Sequence, residues 1–132
     1  MKAEISLITI WTDNMEPMKE FYCNTLGFTI KNDLGDYLEL NNRGVRFAIC
    51  KRSVMSPYSD TYRRPCDNRA QRFELAFPCE TKEEVDSSFK RLIIGGAGEV
   101  HAPADMPWGQ RTALFSDPDG NIHEIFANLN KE

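Results

Sequence analysis

The chain has 132 residues, of which 41% are apolar and 27% are charged, as is usual for one globular domain or for two small fused halves. Its formal net charge of −4 argues against a nucleic-acid or anionic-membrane partner, because no basic stripe is present. The sequence has no apolar run near the ~18 residues of a membrane span and no apolar signal-peptide core, so we expect a cytoplasmic protein.

The first half of the chain reads as a strand, a helix and three further strands. The segment Asp13 to Pro17 opens the predicted helix, because proline is tolerated only in a first helical turn. An apolar face at helical spacing follows and ends at Gly27. The predicted strands are Ile5 to Trp11 before the helix, and Thr29 to Lys31, Asp36 to Leu40 and Val45 to Lys51 after it.

A bridge from Arg52 to Ala70 is rich in Ser, Pro, Tyr and Arg, and it is longer than most loops of compact domains. Two interpretations stay open. The bridge is either a plain linker or a lid that folds over an anionic or aromatic ligand with Tyr58, Tyr62, Arg63 and Arg64.

The second half follows the same order. Thr81 to Glu84 is a capping-box pattern that opens a helix, and Gly95-Gly96 ends it. The sequence D-P-D-G at residues 117–120 predicts a tight turn, since proline and glycine suit its backbone angles. The predicted strands are Phe73 to Cys79 before the helix, and Glu99 to His101, Gln110 to Phe115 and Asn121 to Ala127 after it.

The two halves are an internal repeat. Three pairs of residues are each 68 positions apart, namely Asp13 and Thr81, Phe21 and Phe89, and Gly27 and Gly95. Matching the turn glycines Gly44 and Gly120 needs an offset of 76, so the second half carries about eight extra residues, which we assign to the loop His101 to Gly109. Each half is a βαβββ unit with one uncovered sheet face, and two such units side by side can enclose a cleft.

We therefore predict an α+β fold made of two βαβββ modules with a cleft between them. The chain is expected to be one domain, with module 1 at about residues 1–52, a linker at about 53–70 and module 2 at about 71–132.

The four cysteines are too widely spaced for a zinc ribbon or a C-x-x-C redox pair. Four cysteines could also form two disulfides, but a cytoplasmic setting favours reduced thiols. We expect free thiols at Cys23, Cys50, Cys66 and Cys79.

Three motifs carry a resemblance to a known family. They are D-N-x-x-x-x-x-x-F-Y-x-x-x-L-G-F from Asp13 to Phe28, P-W-G-Q-R from Pro107 to Arg111, and F-S-D-P-D-G-N-x-x-E from Phe115 to Glu124. Together they resemble the vicinal oxygen chelate superfamily, which includes glyoxalase I, bleomycin-resistance proteins, extradiol dioxygenases, methylmalonyl-CoA epimerase and fosfomycin-resistance enzymes. The resemblance implies paired βαβββ modules that form an open, barrel-like cleft, a small-molecule ligand and a homodimer.

Family enzymes commonly bind a metal with one residue on the first strand and one on the last strand of each module. The resemblance carries these positions to Ser6, Ala48, Glu74 and Glu124. Family ligands are His, Gln and Glu, whereas Ala48 cannot bind a metal and Ser6 would be a poor ligand. Strand alternation turns His123 away from Glu124, and nothing in the pattern aims His101 at the cleft. We expect no resident cofactor, with a weak divalent metal left open.

Glu74 and Glu124 are the candidate catalytic residues, or the counter-charges of a bound cation. If both lie in a dry cleft, repulsion should raise the pKa of at least one and suit it to acid–base chemistry. The alternative is a salt-bridged network of both carboxylates with Arg46 and Arg72. The candidate ligand-binding residues are Ser6, Ala48, Arg46, Arg72 and Trp108, the last of which is otherwise a packed loop anchor.

Three functions are considered. The favoured one is a metal-free protein that binds a small organic molecule, with Glu74 and Glu124 as counter-charges to a cationic group. The second is a lyase or isomerase that resembles lactoylglutathione lyase or an epimerase and uses the same two residues. The third is an accessory domain with a vestigial cleft.

Overall fold

The computed structural model describes residues 1–64 and 71–129, which fall into two compact units, Met1–Cys66 and Asp67–Glu132. Each unit is a βαβββ module of mixed sheet and one main helix, as the sequence predicts. The boundary between the units falls inside the predicted linker. The cleft between the modules stays a prediction. Within the described ranges, no helix has the length and apolar character needed to cross a membrane.

Unit 1 is built around a four-stranded sheet in the order β1-β4-β3-β2, in which β1 runs parallel to β4 and the other pairs are antiparallel. Its helix α1 continues into a wider π-helical turn. The elements are β1 (Leu7–Thr12), α1 (Met15–Glu20), the π-helical turn (Phe21–Thr25), β2 (Ile30–Asp33), β3 (Tyr37–Leu40) and β4 (Arg46–Lys51).

The core of unit 1 lies between the sheet and its helical segment. Side chains alternate along β4, so Phe47 and Ile49 face the helix. The Phe47 ring centroid lies 5.7 Å from that of Tyr22 and 5.3 Å from that of Phe28. The other side of the sheet, which we call the open face of unit 1, carries Ala48 and its neighbours in the register, Thr9 and Glu39.

Unit 2 repeats this plan, with the sheet order β5-β8-β7-β6 and a parallel β5–β8 pair. The N-cap of the predicted capping box is confirmed, because the Thr81 hydroxyl accepts a hydrogen bond from the Glu84 N–H at 3.1 Å. The Glu84 carboxylate accepts from the Glu80 N–H at 2.8 Å, one residue before the N-cap. The elements are β5 (Ala76–Pro78), α2 (Lys82–Ile94), β6 (Gly98–Asp105), β7 (Gln110–Ser116) and β8 (Ile122–Asn128).

An aromatic cluster fills the core of unit 2 beneath α2. The rings of Phe77, Phe115 and His123 lie within 6.2 Å of one another, centroid to centroid. Val85 and Phe89 of α2 are buried above the sheet. Because β8 alternates strictly, the burial of His123 turns Glu124 to the opposite side of the sheet, as predicted.

Two predicted boundaries are wrong. The predicted loop His101 to Gly109 is strand as far as Asp105, so the extra residues of the second half lengthen the β6–β7 hairpin. The strand predicted over Phe73 to Cys79 is shortened to Ala76–Pro78, because only these residues pair with β8.

The register also corrects the repeat. The helix caps Asn14 and Thr81 are 67 positions apart, and so are Thr9 and Ala76, which occupy matching places beside β4 and β8. At the helix ends, the left-handed glycines Gly27 and Gly96 are 69 apart. The offset of 68 between the two halves therefore holds neither at the start nor at the end of the helices.

The bridge after β4 is folded against unit 1 as far as Arg64. Two short 3₁₀ turns, Arg52–Val54 and Asp60–Arg63, frame it. The buried Arg52 guanidinium donates to the carbonyl oxygens of Tyr62 (3.2 Å), Thr61 (3.1 Å) and Arg64. The Tyr62 ring meets the Trp11 ring edge-on at 4.9 Å. We call this arrangement the Arg52 clamp; whether the bridge serves as a lid or as a linker stays open.

Cys23, Cys50 and Cys79 are free thiols in the structure, and Cys50 is buried in β4. Cys66 lies outside the described residues, as does the end of the bridge.

Candidate functional site

The candidate site lies on the side of the unit 2 sheet opposite α2, which we call the open face of unit 2. Glu124 stands near the middle of this face, between Ala76 on β5 and Leu114 on β7. Its backbone N–H donates to the Leu75 carbonyl at 3.0 Å, which holds β8 against the segment that carries Glu74. By alternation from Ala76, Glu74 shares this face.

The carboxyl group of Glu74 lies close enough to that of Glu124 to affect its ionisation. Partial burial raises the pKa of Glu124 above its ordinary value, and the negative charge and hydrogen bond of Glu74 raise it further. The protonated form of Glu124 is therefore favoured. We call this arrangement the acid pair. Glu74 is exposed and Glu124 is half-buried, so the expectation that both carboxylates lie in a dry cleft stays a prediction.

The acid pair has no cationic partner within residues 1–64 and 71–129, where none of the ion pairs involves Glu74 or Glu124. The alternative, a salt-bridged network with Arg46 and Arg72, is therefore not formed among these residues. Arg46 belongs to unit 1 and binds Glu39 instead. Arg72 is exposed and precedes β5.

Glu39, which the sequence did not single out, is a carboxylate on the open face of unit 1, as Glu124 is on the open face of unit 2. Its carboxylate is almost fully buried and accepts hydrogen bonds from Arg46 Nε at 2.9 Å and Arg46 Nη2 at 2.6 Å. The Tyr37 hydroxyl donates at 3.1 Å, and Lys31 Nζ lies 3.6 Å away. The hydrogen bonds from Arg46 lower the pKa of Glu39 to about 2 despite the burial. The Glu39 carboxylate is thus ionised, and its charge is balanced by Arg46.

The four family metal positions offer few metal donors. The corrected register puts Leu7, not Ser6, at the place that corresponds to Glu74 in unit 2. Ser6 precedes β1, and strand alternation assigns it to the opposite face from Leu7. Ala48 offers only a buried methyl group. In the described part of the chain, no three His, Cys, Asp or Glu side chains come together as metal ligands. Leu7 and Ala48 have no donor atoms in their side chains, so only the carboxylates of Glu74 and Glu124 could bind a metal. Two donor groups do not fit a divalent transition metal, which needs three or more.

The two histidines differ in position. His123 is buried beneath α2, where its Nδ1 accepts from the Leu75 N–H at 3.2 Å. His101 is exposed, and the register pairs it with Leu114, in the same cross-strand row as Glu124. The pattern around His101 did not indicate this position, because an irregularity in β6 shifts its register. Two strand spacings, about 10 Å, separate it from Glu124.

Trp108 lies at the end of the same hairpin. Its side chain is 66% exposed, so it is not a packed loop anchor. The indole N–H donates to Gln110 Oε1 at 3.1 Å, and Gln110 Nε2 donates to Asn128 Oδ1 at 3.1 Å. This chain of polar groups borders the open face of unit 2. The role of Trp108 in ligand binding stays a prediction, as do those of Ser6, Ala48, Arg46 and Arg72.

Comparison with known proteins places this architecture in a family. The model of the Glyoxalase/Bleomycin resistance protein/Dioxygenase superfamily matches residues 4–125. The protein YraH of Bacillus subtilis (strain 168) is 28% identical over 127 residues, which cover 92% of this chain and 96% of YraH.

Solved structures share the fold. A glyoxalase/bleomycin resistance protein/dioxygenase from Nocardioides is 23% identical and gives a TM-score of 0.84, covering 100% of this chain and 87% of that chain. A lactoylglutathione lyase from Agrobacterium tumefaciens is 19% identical, with a TM-score of 0.72 and coverage of 96% and 95%. At these identities the likeness shows the fold alone. With the family model matching nearly the whole sequence, the chain belongs to the glyoxalase/bleomycin resistance protein/dioxygenase superfamily.

Proposed function

We propose that the open face of unit 2 binds a small organic amine, with Glu74 and Glu124 as its counter-charges and without a resident metal ion. The acid pair is the observation that carries this proposal. Two neighbouring carboxyl groups, with no basic side chain bonded to either in the described residues, form an incomplete electrostatic arrangement that a bound cation would complete.

An ammonium group suits the acid pair chemically. It carries one positive charge and three N–H donors, so it can bond both carboxylates at once. Its charge would remove the repulsion between them and lower the pKa of Glu124. The proposal therefore requires that amine binding release a proton at a pH where Glu124 still holds one.

The neighbouring residues would hold the hydrocarbon part of such a ligand. Leu114 lies directly across from Glu124 and Phe126 follows it on β8; both are only half-buried. Apolar surface beside a charged anchor is the usual composition of a small-molecule site.

Titration with phenethylamine tests the proposal, because this probe joins one ammonium group to one apolar ring. We expect saturable binding by calorimetry, with a heat that depends on the ionisation enthalpy of the buffer because a proton is released. Glu124→Gln should weaken binding at least ~10-fold, as expected when a charge-assisted hydrogen bond is lost. Glu99→Gln, which removes an exposed carboxylate of β6, is the matched control and should bind normally.

The proposal also predicts that amine binding needs no metal ion. Amine binding should be unchanged after dialysis against a chelator. Stoichiometric zinc, nickel, iron or manganese in the purified protein, together with loss of amine binding on chelation, would contradict the proposal.

The raised pKa of Glu124 favours a second candidate, a lyase or isomerase in which the acid pair moves a proton. A carboxyl that holds its proton closer to neutral pH, beside a second carboxyl, is suited to general acid–base catalysis. The relevant assay is turnover of the hemithioacetal of methylglyoxal and glutathione, with loss of activity in Glu124→Gln. No turnover with any of several added metals would count against this candidate.

If no small molecule raised the melting temperature, an accessory domain would be favoured instead.

A further inference from the structure

Thr112 presents a buried hydroxyl without a hydrogen-bond partner. In the described residues, its Oγ1 is the one buried side-chain nitrogen or oxygen that has none. The side chain is 2% exposed, so bulk water does not satisfy the hydroxyl either. A group left in this state costs free energy, and such groups are rare enough in native proteins that each needs an explanation.

The register places Thr112 on the same face as the acid pair. On β7, Ala113 and Phe115 are buried towards α2, whereas Thr112 and Leu114 alternate to the open face of unit 2. Leu114 is directly across from Glu124, so Thr112, two residues earlier, is its diagonal neighbour. Diagonal neighbours on adjacent antiparallel strands are about 7–8 Å apart.

The residues next to Thr112 on the open face of unit 2 are partly exposed. Its partner on β8 is Phe126, and the next residue on the same face of β7 is Leu114. Both are half-buried, whereas the Thr112 hydroxyl is covered, so a ligand on this face reaches the hydroxyl by displacing these two side chains. A hydroxyl can both donate and accept, so it can meet either kind of ligand polar group.

We propose that Thr112 is a specificity-determining residue, whose hydroxyl bonds a second polar group of the ligand while the acid pair bonds its amine. This inference rests on the proposed amine-binding function and narrows it. The preferred ligand class is an amine with a hydroxyl or carbonyl group at the far end of a short apolar body. Such a ligand satisfies the buried hydroxyl, which a simple amine leaves unpaired.

Tyramine and phenethylamine test the inference, since they differ only in the hydroxyl that tyramine carries opposite its amine. We expect the wild-type protein to bind tyramine about 3- to 10-fold more tightly, the gain of one neutral hydrogen bond. Thr112→Val keeps the shape of the side chain and should abolish this preference. Thr112→Ser keeps the hydroxyl and should retain it.

The outcomes separate the two proposals. Binding of both amines with equal affinity, or a tyramine preference that persists in Thr112→Val, would overturn the inference and leave amine binding intact. Failure of both amines to bind would remove amine binding and the inference with it.

The melting temperature without ligand gives an independent measurement. If the hydroxyl is unpaired in the free protein, Thr112→Val should melt at a higher temperature than wild type. A lower melting temperature for Thr112→Val than for Thr112→Ser would show that the hydroxyl has a partner within the protein, and would overturn the inference.

Discussion

Glu39 and Glu124 show that neighbouring side chains set the pKa of a carboxylate on the open face of a sheet. Each lies in a strand on the open face of its sheet, next to apolar residues. Glu39 has two hydrogen bonds from Arg46, whereas the nearest titratable group to Glu124 is another carboxyl. The pKa of Glu39 is therefore lowered and that of Glu124 is raised. The first is a structural ion pair, and the second is a candidate for function.

The lowered pKa of Glu39 predicts a loss of stability in acid. Its contribution to the free energy of unfolding is complete above the ordinary carboxyl pKa of 4.5 and disappears as the pH falls to about 2. We expect Glu39→Gln to lower the melting temperature by several degrees at pH 7, since the Arg46 guanidinium then lacks its counter-charge. The difference from wild type should shrink between pH 4.5 and pH 2. A difference that stays constant over this range would contradict the assigned ion pair.

The raised pKa of Glu124 predicts the opposite pH dependence. Below pH 4.5 the side chain is protonated in both the folded and the unfolded protein, so Glu124→Gln should match wild type. As the pH rises through the elevated pKa, the folded wild type must ionise next to Glu74 and loses stability. We expect Glu124→Gln to melt a few degrees above wild type at pH 8, with Glu99→Gln as the control. A gain in stability caused by removing a site residue is typical of functional positions.

These residues differ in how far the sequence could identify them. Glu124 was predictable, because its position four residues after the turn glycine Gly120 follows from local turn chemistry. Glu39 carried the same signal, a carboxylate between leucines, but its partner Arg46 is on the next strand and depends on hairpin register. Thr112 could not be identified, because threonine is common in strands and only the structure shows whether its hydroxyl has a partner.

At the scale of elements, local signals predicted which helices and strands exist, but not their ends. The Asp117 carboxylate accepts from the N–H groups of Asp119 and Asn121, as expected for the D-P-D-G turn. The extension of β6 to Asp105 could not be predicted, because it depends on pairing with β7 rather than on its own composition. Likewise, counting alone could not separate Ser6 from Leu7, since a change of one residue reverses the face of a strand.

The Arg52 clamp is an element that sequence composition does not reveal, since one arginine in a basic, flexible-looking segment gives no sign of burial. Arg52→Met keeps the apolar stem and removes the guanidinium, leaving the carbonyl groups of Thr61, Tyr62 and Arg64 without this donor. We expect the free energy of unfolding to fall by about 1–3 kcal/mol. Trypsin should also cleave faster after Arg63, because the bridge is released.

Arg63→Gln is the control for this change in stability. Arg63 forms an exposed ion pair with Asp60, three residues earlier, at 2.8 Å. Its loss should change the free energy of unfolding by less than about 0.5 kcal/mol. Equal effects of Arg52→Met and Arg63→Gln in urea denaturation would show that the clamp does not stabilise unit 1.

At the scale of the whole molecule, the negative charge is unevenly distributed. Residues 1–64 carry nine Lys and Arg against eight Asp and Glu, whereas residues 71–129 carry five against ten. The net charge of −4 therefore arises from the unit that also carries the acid pair. A surplus of like charge around a site attracts ligands of the opposite charge over distances longer than a contact.

This distribution predicts that amine binding depends on salt. Charges beyond a Debye length of roughly 10 Å are screened at 0.1 M ionic strength, so the distant acidic residues help only in dilute salt, whereas the contact with Glu124 persists. We expect the affinity for phenethylamine to fall several-fold between roughly 10 mM and roughly 300 mM sodium chloride, which is an increase of about one and a half decades in ionic strength. Benzyl alcohol, which has the ring but no charge, is the control and should show no such dependence. If both probes respond to salt equally, the acidic surplus of unit 2 does not contribute to binding, and recognition of the amine is confined to the acid pair itself.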